Sequence, residues 1–82
     1  MDKRTFQRMV AERRQLDRRI DKLRVFFVTE AFAKLSDTEK GWLRYQLNAM
    51  KWYKHFLSVR ITYYSEKEVR ENGRPFTEDP AE

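Results

Sequence analysis

The stretch EKGWLRYQLNAMKWYKHFLSVRITYY, residues 39–64, contains two rows of apolar side chains that recur every three or four residues. Such spacing places each row along one face of an α-helix. The first row contains Leu43, Leu47, Met50, Leu57, Ile61 and Tyr64, with Lys54 filling its gap. The second row, called here the aromatic face, contains Trp42, Tyr45, Ala49, Trp52, Phe56, Val59 and Tyr63. At about 100° per residue the rows centre roughly 150° apart, so this helix is apolar on two nearly opposite sides.

Capping signals define where this second helix begins and ends. Ser36 with Glu39 three residues later forms a capping box, which predicts that the helix starts at Asp37. Asn72-Gly73 is a typical helix stop, because glycine adopts the left-handed conformation that often ends a helix. The helix is therefore expected to run from Asp37 to at least Tyr64, with Glu71 as the furthest residue it can reach before this stop.

A first helix is predicted from Asp2 to about Val28, with Asp2 or Thr5 as its N-cap. Arg13 interrupts its apolar seam, which leaves two interpretations. Either its aliphatic stem packs while the guanidinium reaches solvent, or the charge faces a ligand or sets the register of an oligomer. The other positions of the seam are apolar and follow heptad spacing: Phe6, Met9, Leu16, Ile20, Leu23 and Phe27.

These elements predict an all-α fold, a long antiparallel helical hairpin with a short helical turn over residues 29–35. The hairpin forms a single domain over residues 1–73, followed by a flexible acidic tail over residues 74–82. The first helix can cover only one apolar side of the second. If the aromatic face stayed in solvent, its exposed apolar area would be larger than monomers usually tolerate. The sequence therefore predicts a homo-oligomer. The alternative is that the turn and tail cover this face with Phe32, Leu35 and Phe76.

The composition limits which functions are possible. The chain has 82 residues, no cysteine and one histidine, His55. A core this small usually needs a disulfide, a metal or a partner chain, and the partner chain is the option that remains. No catalytic or phosphate-loop motif is present, so we expect neither an enzyme nor a cofactor. No apolar run is long enough to span a membrane, and a cytoplasmic location is expected.

The charge is concentrated in the first helix. Residues 1–24 contain nine basic and four acidic side chains, a difference of five that equals the net charge of +5 for the whole chain. A basic helix can neutralise nucleic-acid phosphates, which leaves DNA or RNA binding as one interpretation. Three acidic residues lie among the basic ones, however, and a charged helix face is most often simply solvated.

The order of these motifs is similar to that of known phage proteins. The stretch RMVAERRQLDRRIDKLRVFF, then FAKL, then the second helix resemble a family of small tailed-phage proteins named after a crAss-like phage. In helix 2 the matching positions are Gln46, Met50, Tyr53, Leu57, Arg60 and Ile61. The second helix also looks like the helical hairpins of phage anti-defence sponges, which are oligomers that sequester cyclic nucleotide or ADP-ribose signals.

This resemblance implies a phage-encoded, non-enzymatic anti-defence protein that binds a nucleotide immune signal in the host cytoplasm. Gln46, Tyr53 and Arg60 match the family pattern, and lie seven residues apart beside the aromatic face. They are the first candidates for ligand binding, with Arg13, Trp52 and Lys54 as second candidates. For each residue, packing or a surface ion pair is the competing explanation. Two other functions stay open: an oligomeric inhibitor or adaptor that binds a protein, and a nucleic-acid binder.

Overall fold

The computed structural model describes residues 1–76, which form three helices in chain order: α1 (Lys3–Phe26), α2 (Glu30–Ala33) and α3 (Asp37–Asn72). The described residues contain no strand, which confirms the all-α prediction. α1 and α3 pack against each other as a long antiparallel pair, and α2 is a single turn between them. α1 ends two residues earlier than expected, whereas α3 continues to Asn72.

Polar side chains cap the start of every helix. Asp2 accepts a hydrogen bond from the Thr5 backbone N–H at 2.7 Å, so Asp2 and not Thr5 is the N-cap of α1. This hydrogen bond favours the ionised carboxylate and lowers the pKa of Asp2. The Ser36 hydroxyl accepts from the Glu39 N–H at 3.1 Å at the start of α3. Gly73, with a φ of 78°, ends that helix in the left-handed conformation.

The core lies between α1 and the first apolar row of α3. Val10 is fully buried, although it lies outside the predicted heptad seam. Phe76 stacks on Phe6 with ring centroids 4.7 Å apart, which extends the core beyond Gly73. Residues 77–82 of the predicted tail lie outside the described residues. The buried side chains of this cluster are Phe6, Met9, Val10, Leu16, Leu57 and Ile61.

The turn between the long helices is anchored by Phe32. Its ring lies 4.8 Å from that of Phe27 and 6.0 Å from that of Phe26, as expected for a side chain that points inward. The Lys40 amine and the Arg44 guanidinium lie 5.6 and 5.9 Å from the ring centroid, within the range of cation–π attraction. These contacts hold the first turns of α3 against the end of α1. Over residues 1–76, none of the helices has the length and apolarity that crossing a membrane requires.

Candidate functional site

The aromatic face of α3 is open to solvent in the single chain. Trp42, Tyr45 and Trp52 expose 66%, 77% and 63% of their surface, and Phe56 exposes 58%. α1 packs on the other side of α3, and the α2 turn buries its Phe32 against the end of α1 instead. The described residues therefore leave the aromatic face uncovered, and the turn does not cover it as the alternative interpretation required.

Ionic and polar contacts join the two long helices on both flanks of the pair. On one flank the Tyr53 hydroxyl donates a hydrogen bond to the Glu12 carboxylate. On the other flank the Lys54 amine forms an ion pair with Asp17. These contacts hold α1 and α3 in register along their exposed edges, where apolar packing cannot.

The acceptor on Glu12 alters the acidity of Tyr53. The hydrogen bond to Glu12 stabilises the protonated phenol and raises the pKa of Tyr53, and the negative charge of Glu12 acts in the same direction. The positive charge of Arg60, seven residues further along the same strip of α3, opposes this effect. Tyr53, Arg60 and Glu12 therefore form one electrostatic group.

A groove of about 410 Å³ lies on the opposite flank, along the edge of the aromatic face. We call it the lysine groove, and its lining residues are Asn48, Lys51, Trp52 and His55. The Trp52 ring forms one wall, with the His55 ring edge-on at 6.0 Å and the Phe56 ring stacked at 6.1 Å. The groove combines an aromatic surface for stacking with a cation and two hydrogen-bonding side chains.

A second groove of about 310 Å³ adjoins the lysine groove and shares Lys51 and His55 with it. It lies between α1 and α3, and Lys54, Arg24, Asp17 and Asp21 supply its charged lining. Asp17 is already paired with Lys54. Lys51 therefore lies between a mixed-charge groove and the aromatic wall of Trp52, where it can contact an anion bound on either side.

The six predicted ligand residues fall in different parts of the molecule. Gln46 lines a groove of its own with Arg19 and Lys22, whereas Trp52 and Lys54 line the two grooves that adjoin at Lys51 and His55. Gln46, Tyr53 and Arg60 share one strip of α3, which lies across the aromatic face from Lys51. Arg13 is half-buried on α1. One chain therefore offers two flanks with different chemistry, and the six side chains do not surround one cavity.

Sequence reasoning missed Asn48, Lys51 and His55 as candidate ligand residues. They recur at spacings of three and four, so their common strip was visible in the sequence. Nothing local indicated that the strip would border a groove, because the groove depends on where α1 packs. One sequence pattern could have indicated this groove. It is a basic residue next to Trp52, on the side of α3 opposite Tyr53.

Comparison with known families places most of the chain in one of them. The family model described as Sequestin matches residues 3–63, which is most of the chain. The chain belongs to the Sequestin family. The matched segment includes all of α1 and α2 and most of α3, so it contains the aromatic face and both flanks of the Sequestin helix pair. No curated protein and no solved structure matches the chain.

Proposed function

We propose that this protein is a phage-encoded anti-defence protein that binds and sequesters a nucleotide immune signal of the cyclic oligonucleotide or ADP-ribose type, without converting it. Membership of a family named for sequestration is the observation that carries the proposal. Lys51, Trp52 and His55 all lie in the matched segment. The chemistry of the lysine groove supports a nucleotide as the ligand.

The groove offers the two contacts that a nucleotide needs. An exposed indole ring can stack on a base, and such stacking contributes about 1–3 kcal/mol per base. Trp52 exposes 63% of its surface, and its ring borders the groove. Stacking of a purine on this wall would remove apolar surface from water and leave the phosphates next to Lys51.

Charge favours an anionic ligand. The Lys51 ammonium can donate charge-assisted hydrogen bonds to phosphate oxygens, and Asn48 and His55 can supply further hydrogen bonds. The chain carries a net charge of +5, which attracts small anions over longer distances. Lys54 is held by Asp17, which leaves Lys51 as the main cation for the ligand at this edge.

Titration calorimetry against a panel of cyclic dinucleotides, cyclic oligoadenylates and cyclic ADP-ribose isomers tests the proposal. At least one compound is expected to bind. Lys51→Gln should then weaken binding about tenfold or more, since a hydrogen bond to a charged group contributes about 1.5–3 kcal/mol. Lys34→Gln, which changes an exposed lysine on the α2 side, should leave affinity unchanged.

A third variant distinguishes the two flanks. Lys22 lines the groove at Gln46, on the flank of the predicted residues Gln46, Tyr53 and Arg60. A loss of affinity in Lys22→Gln, with Lys51→Gln unchanged, would move the ligand to that flank and contradict the lysine groove. Absence of binding across the whole panel would contradict the proposed function and favour the protein-interaction module.

A further inference from the structure

We infer that two copies of this chain pair antiparallel through the aromatic face, with a two-fold axis at Trp52, and that the pairing joins their lysine grooves into one ligand cleft. This inference rests on the proposed function for its ligand. The area, spacing and charge of the aromatic face support the pairing.

The exposed area is close to what one side of a stable dimer needs. An aromatic side chain presents about 150–250 Å², so the five exposed aromatic residues leave on the order of 600 Å² of their surface open. A standard interface takes about 800 Å² from each partner. The remaining area is available from Ala49 and Val59, which are also exposed on this face.

The aromatic face is nearly symmetric about Trp52. Phe56, Val59 and Tyr63 follow Trp52 by four, seven and eleven residues, and Ala49, Tyr45 and Trp42 precede it by three, seven and ten residues. An antiparallel two-fold axis at Trp52 therefore sets Tyr45 level with Val59, and it sets Ala49 and Trp42 within one residue of the level of Phe56 and Tyr63.

This pairing matches side-chain volumes. Phe56 faces the small Ala49 of the other copy, and Tyr45 faces the smaller Val59, so large side chains fit beside small ones as close packing requires. A parallel pair would set each residue against itself. Ala49 would then face Ala49 and leave a gap, while Tyr45 and Phe56 would each oppose an identical bulky ring.

Charges also favour the antiparallel arrangement. The aromatic face itself contains no charged residue. Antiparallel α3 helices also place their macrodipoles in opposite directions, which avoids like poles at the same end.

Two-fold geometry then determines which flanks meet. The axis runs perpendicular to both α3 helices, so it carries the Lys51 flank of one chain to the same side of the interface as the Lys51 flank of the other. Both copies of Lys51 and His55 lie within about one helical turn of the axis. The shallow groove of each chain becomes half of a cleft that holds one ligand and its phosphates between two lysines.

Spin labelling tests the pairing, because the chain contains no cysteine and each introduced cysteine is unique. Asn48 and Glu66 lie on one strip of α3. At ~1.5 Å per residue, an antiparallel axis at Trp52 separates the two labels at Glu66 by about 42 Å and those at Asn48 by only about 12 Å along the helix. Two similar distances would indicate a parallel pair and overturn the inference.

A matched pair of variants tests the link to ligand binding. Ala49→Glu places a charge opposite Phe56, and it should give a monomer by analytical ultracentrifugation with its helical circular dichroism intact. Ala31→Glu changes an exposed alanine of α2 and should leave the dimer unchanged. Calorimetry should show that the wild type binds one ligand per two chains. The affinity of Ala49→Glu for the ligand should be about tenfold lower or more, since each half-cleft keeps only one lysine.

The outcomes separate the two proposals. A monomer that binds one ligand per chain would overturn this inference while the proposed function stands. An antiparallel dimer that binds no compound of the panel would overturn the proposed function and the shared cleft together, and would leave only the pairing of the aromatic faces.

Discussion

The Tyr53 hydroxyl donates a hydrogen bond to the Glu12 carboxylate across the two long helices, between residues 41 positions apart in the sequence. This contact joins one flank of α3 to the basic helix α1. It also engages a residue that the sequence assigned to ligand binding. The same flank contains Arg60, whose charge acts on the Tyr53 phenol.

Replacing Glu12 by Gln should lower the pKa of Tyr53 toward its ordinary value. The hydrogen bond to the carboxylate and its negative charge both raise this pKa, and the substitution removes the charge. NMR titration of the tyrosine ring Cζ signals measures the shift, with Tyr53→Phe to assign the resonance. Glu39→Gln, on an exposed residue of α3, is the matched control and should leave the titration unchanged.

The same hydrogen bond predicts how stability changes in alkali. A folded-state pKa above the unfolded value means that the contribution of Tyr53 is fully present below the unfolded pKa, near 10.0, and is lost as the pH rises through the folded pKa. Denaturant unfolding should therefore show a smaller alkaline loss of stability in Tyr53→Phe than in wild type. Equal losses in both proteins would contradict the contact.

Val10→Ala should lower the free energy of unfolding by about 2 kcal/mol, because the fully buried side chain loses two methyl groups and leaves a cavity. Val25, in the same helix, is 65% exposed and provides the matched control. Val25→Ala should change stability by less than about 0.5 kcal/mol. Chemical denaturation followed by circular dichroism compares the two, and equal effects would be inconsistent with the packing at Val10.

Ser36→Ala should destabilise the fold by about 1 kcal/mol, the usual effect of losing an N-cap side chain. The Ser36 hydroxyl accepts from the Glu39 N–H at 3.1 Å, and alanine leaves that donor without its capping acceptor. Ser36→Asp keeps an acceptor at the same place and should restore most of the stability. Thermal unfolding of the three proteins measures this, and no rescue by aspartate would argue against capping.

The helices and their ends were predictable because their signals are local. Ser36, Glu39 and Gly73 act within a few residues of themselves, and the rows of α3 repeat at the helical period. Val10 was not predicted as a core residue, because it follows Met9 directly and does not fit the steps of three and four residues that define the heptad seam. At that end the core is wider than a heptad seam, since Tyr64 and Phe76 also pack there.

The candidate site was only partly predictable. Trp52 was named from the sequence, but Lys51 and His55 were not, because a groove depends on contacts between distant segments. The pairs Tyr53–Glu12 and Lys54–Asp17 lie along the two edges where α1 meets α3, and neither pair follows from local spacing. Gln46, Tyr53 and Arg60 shared a strip as the spacing predicted, and their role in ligand binding stays a prediction.

Recovery of the bound compound tests sequestration most directly. The protein is saturated with a compound of the panel that binds, freed of excess by gel filtration, and then heat-denatured, and the released compound is measured by chromatography with mass detection. We expect to recover the original compound, unchanged and in the amount that was bound. A converted product would show that the protein is an enzyme, and no released compound would show that nothing was sequestered; either result would contradict the central claim.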